Sequence, residues 1–205
     1  MPAITPAREA ANRESILTAA EELSAERAFK DITLGDIAAR THLSRPSVYN
    51  YFPSKEEIFL NLLVREHDLW AEDIAAIDPE QANTREKFAE ALAATLDNRE
   101  LMLKLVVCNF YEMQDASSMD ELVRIKKSSW NAGEITYETV KKCLPDMSDD
   151  DADGFVIAFF PFIFGLYPYT HLSEKQAEAI KLAEISFEPL STHAAARLGI
   201  ERLLR

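Results

Sequence analysis

Apolar residues recur along this chain at intervals of three and four rather than two, so the pattern predicts helices throughout and an all-α fold. Ile16, Leu17, Ala20 and Leu23 share one face of a first helix expected over about residues 8–27, with Arg13, Glu14, Glu21 and Glu22 outside it. Thr33, with Asp36 three positions on, reads as the N-cap of a short second helix carrying Leu34, Ile37 and Ala38. The turn Thr41-His42-Leu43-Ser44 ends it, and Ser44 caps a third helix, Arg45-Pro46-Ser47-Val48-Tyr49-Asn50-Tyr51-Phe52, with Pro46 in the first turn where proline is tolerated. Val48 and Phe52 fall on its apolar side and read as core. After Pro53-Ser54, a fourth helix with Ile58, Phe59, Leu62, Leu63, Leu69, Trp70 and Ile74 runs towards Ile77 and ends by Asp78-Pro79.

Further helices are expected at about 84–97, 100–114, 118–143, 149–170, 174–187 and 191–204. The stretch 154–169 is the most apolar and carries no charge, yet is too short and broken to span a membrane. A helix apolar on all sides needs one face against the core and another against a partner or ligand. Pro161 and Pro168 cannot donate to the carbonyls of Ile157 and Phe164, so this helix should bend or break.

Composition changes this picture little. At 205 residues and 47% hydrophobic content the chain can bury a core without staples. Cys108 and Cys143 lie apart in apolar-periodic stretches and read as buried free thiols. The first ten residues lack the basic start and apolar run of a secretory signal, so a cytoplasmic chain is expected. Charge matters more. The net of -13 opposes phosphate binding, but residues 1–60 hold seven Lys/Arg against nine Asp/Glu, a net of -2, which leaves -11 for the other 145. A nearly neutral module can hold phosphates with a few cations, hydroxyls and helix N-termini if its carboxylates face elsewhere.

Two short helices joined by a four-residue turn, the second presenting small polar and aromatic residues, form the geometry that puts one helix into a DNA major groove. Arg45 can pair with guanine or phosphate, Asn50 with adenine or a backbone oxygen, and Ser47 is small enough to let the helix approach. Tyr49 and Tyr51 can donate to phosphates. The run from Ile16 to Leu63, above all Thr33-Leu34-Gly35-Asp36-Ile37-Ala38-Ala39-Arg40 and Ser44-Arg45-Pro46-Ser47-Val48-Tyr49-Asn50-Tyr51-Phe52-Pro53-Ser54-Lys55-Glu56-Glu57, resembles the TetR (tetracycline-repressor-like) family.

That resemblance implies an N-terminal three-helix DNA-binding domain over residues 1–55, with its recognition unit at 33–52, and a larger helical dimerisation and effector domain over 56–205, joined within the fourth helix. It implies DNA-facing roles for Thr33, Ser44, Arg45, Pro46, Ser47, Tyr49, Asn50, Tyr51 and Lys55. Three residues depart from the family pattern: Ala28 and His42 stand where glycines are usual, and Pro46 removes an amide that could have met phosphate. The resemblance further implies a homodimer through late helices, for which 149–170 and 174–187 fit by position, a palindromic double-stranded operator, and release by a small apolar effector. Asn109, Phe110, Met113, Trp130, Tyr137, Phe159 and Phe162 are the candidate effector-site residues.

No catalytic or metal-binding set emerges, and no cofactor is implied. His42, His67, His171 and His193 lie on different elements, and Glu66-His67-Asp68 reads as an exposed charged face. Asp149-Asp150-Asp151 and Asp153 lack a calcium loop's glycine and final glutamate, and read as negative charge at a helix N-terminus. The alternative to a repressor is a small-molecule-binding or protein-interaction module of the same fold that has lost operator binding.

Overall fold

The computed structural model describes residues 5–107 and 110–205, the side chains of Phe110 and Glu112 excepted. It is all-α: α1 Pro6–Glu26, α2 Leu34–Ala39, α3 Arg45–Tyr49, α4 Lys55–Ala75, α5 Arg85–Ala94, α6 Glu100–Val107, α7 Phe110–Asp115, α8 Met119–Cys143, α9 Asp149–Phe164, α10 Tyr167–Thr170, α11 Glu174–Leu182 and α12 Thr192–Leu203. Hydroxyl caps start many of them. Thr33 and Asp36 close a reciprocal capping box on α2, and Ser44, Thr84, Ser148 and Ser191 cap α3, α5, α9 and α12.

The chain divides into two compact units, the described residues of Met1–Glu66 with Cys108–Ser128, and those of His67–Val107 with Ser129–Arg205. In the first, Ile16, Leu23, Ile37, Val48, Phe52 and Ile58 are fully buried, and Phe29 meets Phe59 edge-on with ring centroids 4.8 Å apart. The start of α8 joins this unit through polar contacts. Ser118 N donates to Glu57 Oε1 at 2.9 Å, Asn61 Nδ2 to Glu121 Oε2 at 2.9 Å, and Arg124 Nη1 to Asn61 Oδ1. Burying Glu57 and Asn61 on α4 therefore leaves neither without a partner.

The second unit is built on aromatic stacking. Phe155 lies parallel to Phe159 at 5.3 Å, Trp70 packs at 6.0 Å from Phe159 and 5.7 Å from Phe160, and Phe160 meets Phe164 at 6.0 Å. The indole Nε1 of Trp70 donates to Thr95 Oγ1 at 2.9 Å, so the buried ring keeps its hydrogen bond. Helix α12 packs against α5 and α9. It comes so close to α9 that a Cβ on Gly199 would stand 2.1 Å from Cζ of Phe162.

Several sequence expectations change in detail. The helix expected at 149–170 runs through Pro161 and stops at Phe164, with Gly165 as C-cap and Pro168 in the first turn of α10. Proline costs a helix one bond, yet α9 continues past Pro161 and ends at Gly165, which keeps right-handed backbone at φ -84°. The expected helix at 174–187 ends at Leu182, and Glu184, at φ 54°, is the one non-glycine with positive φ among the described residues. Ala28 sits in extended backbone at φ -71°, and His42 is not at positive φ, so these two glycine departures carry no left-handed strain.

The largest correction concerns Glu66-His67-Asp68. Only Asp68 is exposed, whereas Glu66 and His67 are buried. Helix α4 is covered on several sides, and residues 61–64, 66, 67, 70, 71 and 74 are all buried. A single-stripe reading of its periodicity is therefore too narrow.

Candidate nucleic-acid interface

Helix α3 is short because Ser44 starts it and the chain turns at Asn50, but the turn is well determined. Ser44 Oγ accepts from Ser47 N at 3.3 Å and lies 2.8 Å from Ser47 Oγ. Val48, fully buried, anchors the helix to the core, so the residues around it face outward. Ser44, Arg45, Pro46, Tyr49 and Asn50 are exposed and Ser47 is half-buried. The Arg45 guanidinium donates to Tyr49 Oη at 3.4 Å and makes no ion pair among the described residues. Thr33, Arg45, Tyr49 and Lys55 line one groove of about 330 Å³ together with Lys30, Ser54, the carboxylate of Glu56 and apolar residues.

Several carboxylates of this unit are committed to ion pairs. Arg27 pairs with Asp36 at 3.2 Å, Arg40 with Glu26 at 2.5 Å and Glu22 at 3.6 Å, and Arg65 with Glu14 at 2.9 Å and with Glu21. The hydroxyl and amide of Thr33 hold Asp36 below the usual carboxylate range, and hydrogen bonding from Arg40 does the same for Glu26. Five acidic groups thus meet cations of their own unit, which reduces the repulsion a phosphate backbone would encounter.

Lys55 and Tyr51, two of the nine sequence candidates, also bond to distant parts of their own unit. The Lys55 ammonium donates to the carbonyls of Phe29 and Ile32, both at 3.0 Å, and lies 4.4 Å from the Phe29 ring centroid. Those carbonyls belong to the first residue of the Phe29–Asp31 turn and to its C-cap, Ile32. The half-buried Tyr51 accepts from Asn12 Nδ2 at 2.7 Å through its hydroxyl, while its carbonyl accepts from Arg13 Nη1 at 2.9 Å. Asn12, which sequence periodicity does not mark, is the residue that reading missed. Its signal was a single amide inside an apolar stripe.

The candidate effector residues fall in different settings. Asn109 lies outside the described residues, as does the side chain of Phe110. Met113 is buried in the first unit, whereas Trp130, 72% exposed, belongs to the second. Phe159 sits in the aromatic stack and Phe162 against Gly199, while burial and the nearby Asp149 raise the half-buried Tyr137 phenol above its ordinary range. A groove of about 490 Å³ beside α5, lined by Ile77, Ala82, Ala91, Ala94 and neighbours, contains none of Met113, Trp130, Tyr137, Phe159 and Phe162. An apolar side chain at helical spacing serves the core first, which spacing cannot distinguish from a pocket wall.

His67 is the notable polar group of the second unit. It is fully buried, its Nδ1 lies 3.2 Å from Ser129 Oγ, and its ring is nearly parallel to Phe164 at 6.4 Å. Its Nε2 has no partner among the described residues. Burial alone lowers its pKa from 6.5 to about 4, so the ring is neutral. Cys143 is also buried and free, with burial raising its thiol pKa. Among the described residues no histidine, cysteine and carboxylate cluster suits a metal ion, and no helix is long and apolar enough to cross a membrane.

Known proteins match both parts of the chain. Residues 16–62 match the family described as "Bacterial regulatory proteins, tetR family", and residues 64–198 match "Tetracyclin repressor-like, C-terminal domain". The HTH-type transcriptional regulator EthR of Mycobacterium tuberculosis is 47% identical over 51 residues, 25% of this chain and 24% of that protein. EthR of Mycolicibacterium smegmatis is 43% identical over 49 residues, 24% and 23% of the two chains. The match spans about a quarter of these relatives' length. Solved structures share the whole fold. A possible TetR family regulator from Streptomyces coelicolor A3(2) has a TM-score of 0.63 at 13% identity, covering 94% of this chain and 96% of its own. The multidrug binding protein EbrR, complexed with imidazole, has a TM-score of 0.57 at 13% identity, covering 94% of both. With both of its parts matched and its larger part following the C-terminal model across most of its length, the chain belongs to the TetR family of bacterial regulators.

Proposed function

We propose that this chain is a ligand-responsive transcriptional regulator, a repressor that binds a palindromic operator as a homodimer in the cytoplasm and leaves it when a small apolar effector enters the second unit. The observation that carries this reading is the outward-facing set on α3, Arg45, Ser47, Tyr49 and Asn50, held on a buried Val48 in a unit where five carboxylates have cationic partners. Arg45 and Asn50 supply base-edge or phosphate contacts, and Tyr49 a phosphate contact. Two such helices would enter successive major grooves about 34 Å apart.

A second copy is supported by the surface of α9. Ala152, Phe155, Phe159 and Ile163 turn inward, while Gly154, Ile157, Ala158 and Pro161 form an exposed apolar strip. Water-exposed apolar area of this kind favours association. For the effector, the aromatic row on α9 offers apolar surface and His67 Nε2 an unused polar anchor. Such a ligand shifts the operator-bound population only by its differential affinity for the two states.

The test is selection of bound duplexes from a random pool by the purified chain at near-physiological salt, beside an Arg45→Ala, Tyr49→Ala double variant. A palindrome enriched by the wild type and lost in the variant is expected. The net charge of -13 favours the competing reading, a module that has lost operator binding, and enrichment of nothing would select it.

A further inference from the structure

Asn12 is a buried amide in the apolar stripe of α1, one turn before Ile16, and is 6% exposed. It caps no helix. Its Oδ1 lies 3.1 Å from His42 Nε2, in the turn between α2 and α3, and its Nδ2 donates to Tyr51 Oη at 2.7 Å, just beyond α3. Arg13, its neighbour, donates to the Tyr51 carbonyl and covers the Phe52 ring at 4.3 Å. Adjacent residues of α1 therefore hold both the backbone and the hydroxyl of Tyr51.

We propose that Asn12 is a positioning residue for operator binding, setting the direction of the Tyr51 hydroxyl proton so that this hydroxyl donates to a DNA phosphate. The proposal rests on the reading that α3 binds DNA. An amide has one accepting and one donating end. With His42 as its Nε2–H tautomer, Nε2 donates to the accepting end of the amide, 3.1 Å away, and the donating end faces Tyr51. The phenol oxygen then accepts from Asn12, and its own proton is free to point away from α1. Phosphate oxygens only accept hydrogen bonds, which makes that orientation the useful one. A carboxylate in place of the amide would accept from both His42 and Tyr51 and draw the proton inward.

The experiment measures affinity of the full-length chain for its selected operator in the wild type, Asn12→Asp, Asn12→Leu, Tyr51→Phe and the doubles, with long-range proton–nitrogen spectra of His42 in the DNA-free protein. Asn12→Asp is expected to weaken binding about tenfold with an unchanged helical spectrum, Tyr51→Phe by a similar factor, and each double no further than Tyr51→Phe alone. The spectra are expected to show the Nε2–H tautomer. If Asn12→Asp weakens binding equally in the Tyr51→Phe background, its effect is charge or folding and the proposal is overturned. An Nδ1–H tautomer overturns it without any DNA and independently of how well the variants fold. If the wild type selects no duplex, the DNA-binding reading falls and the positioning role with it, while an Nε2–H signal would still locate the fault in that reading rather than in the amide's orientation.

Discussion

Lys55 and His67 share helix α4, yet their environments are opposite. In the first unit, the Lys55 ammonium meets two carbonyls and an aromatic face, and Asn12, Asn61 and Glu57 are likewise buried with partners. In the second, His67 is buried beside Phe164, and one of its ring nitrogens has no partner among the described residues. The first unit uses polar contacts to fix small elements that have little area to bury. The second has long aromatic helices and tolerates a polar defect. Short helices such as α2 and α3 bury too few side chains to hold their own direction, so caps and side-chain bonds must do it.

The strongest way to break this contrast is Phe159→Ala. Phe159 is fully buried in the aromatic stack, and its truncation should cost about 3–5 kcal/mol in chemical denaturation. A loss below 1 kcal/mol would mean that the second unit does not depend on this packing. Next comes acid. Above pH 6.5 the His67 ring is neutral whether the chain is folded or not; as pH falls from 6.5 through about 4, the unfolded chain takes up a proton that the folded one refuses. Stability should fall by about 3 kcal/mol across that window from this group, and His67→Leu should remove that part of the slope. An unchanged slope would show that the ring is not desolvated.

Gly199→Ala is a smaller perturbation of the same unit. Phe162 must move to admit the methyl group, which should cost about 1–3 kcal/mol, read as a lower melting temperature. The smallest effect sharpens the other side. Lys55→Met keeps the stem over Phe29 and removes the ammonium from its two carbonyls, for an expected loss of about 1–2 kcal/mol. Because that cation is committed internally, the salt dependence of operator binding should stay as in the wild type. A slope shallower by about one unit would instead assign Lys55 to phosphate.

The sequence by itself determined the helical class, the stripe of Ile16, Leu17, Ala20 and Leu23, the caps at Thr33 and Ser44, and the inward placement of Val48 and Phe52. These follow from local rules, the period of the helix and the hydrogen-bonding needs of its first turn, which act between residues a few positions apart. Only the tertiary structure decided that His67 is buried, that Tyr51 is held by Asn12, that Lys55 ends on the carbonyls of Phe29 and Ile32, and that Trp130 is exposed while Met113 is enclosed. In each of these the deciding neighbour is distant in the chain or lies on another helix. Periodicity can say that a side chain is on a given face, but what covers that face depends on how the helices pack.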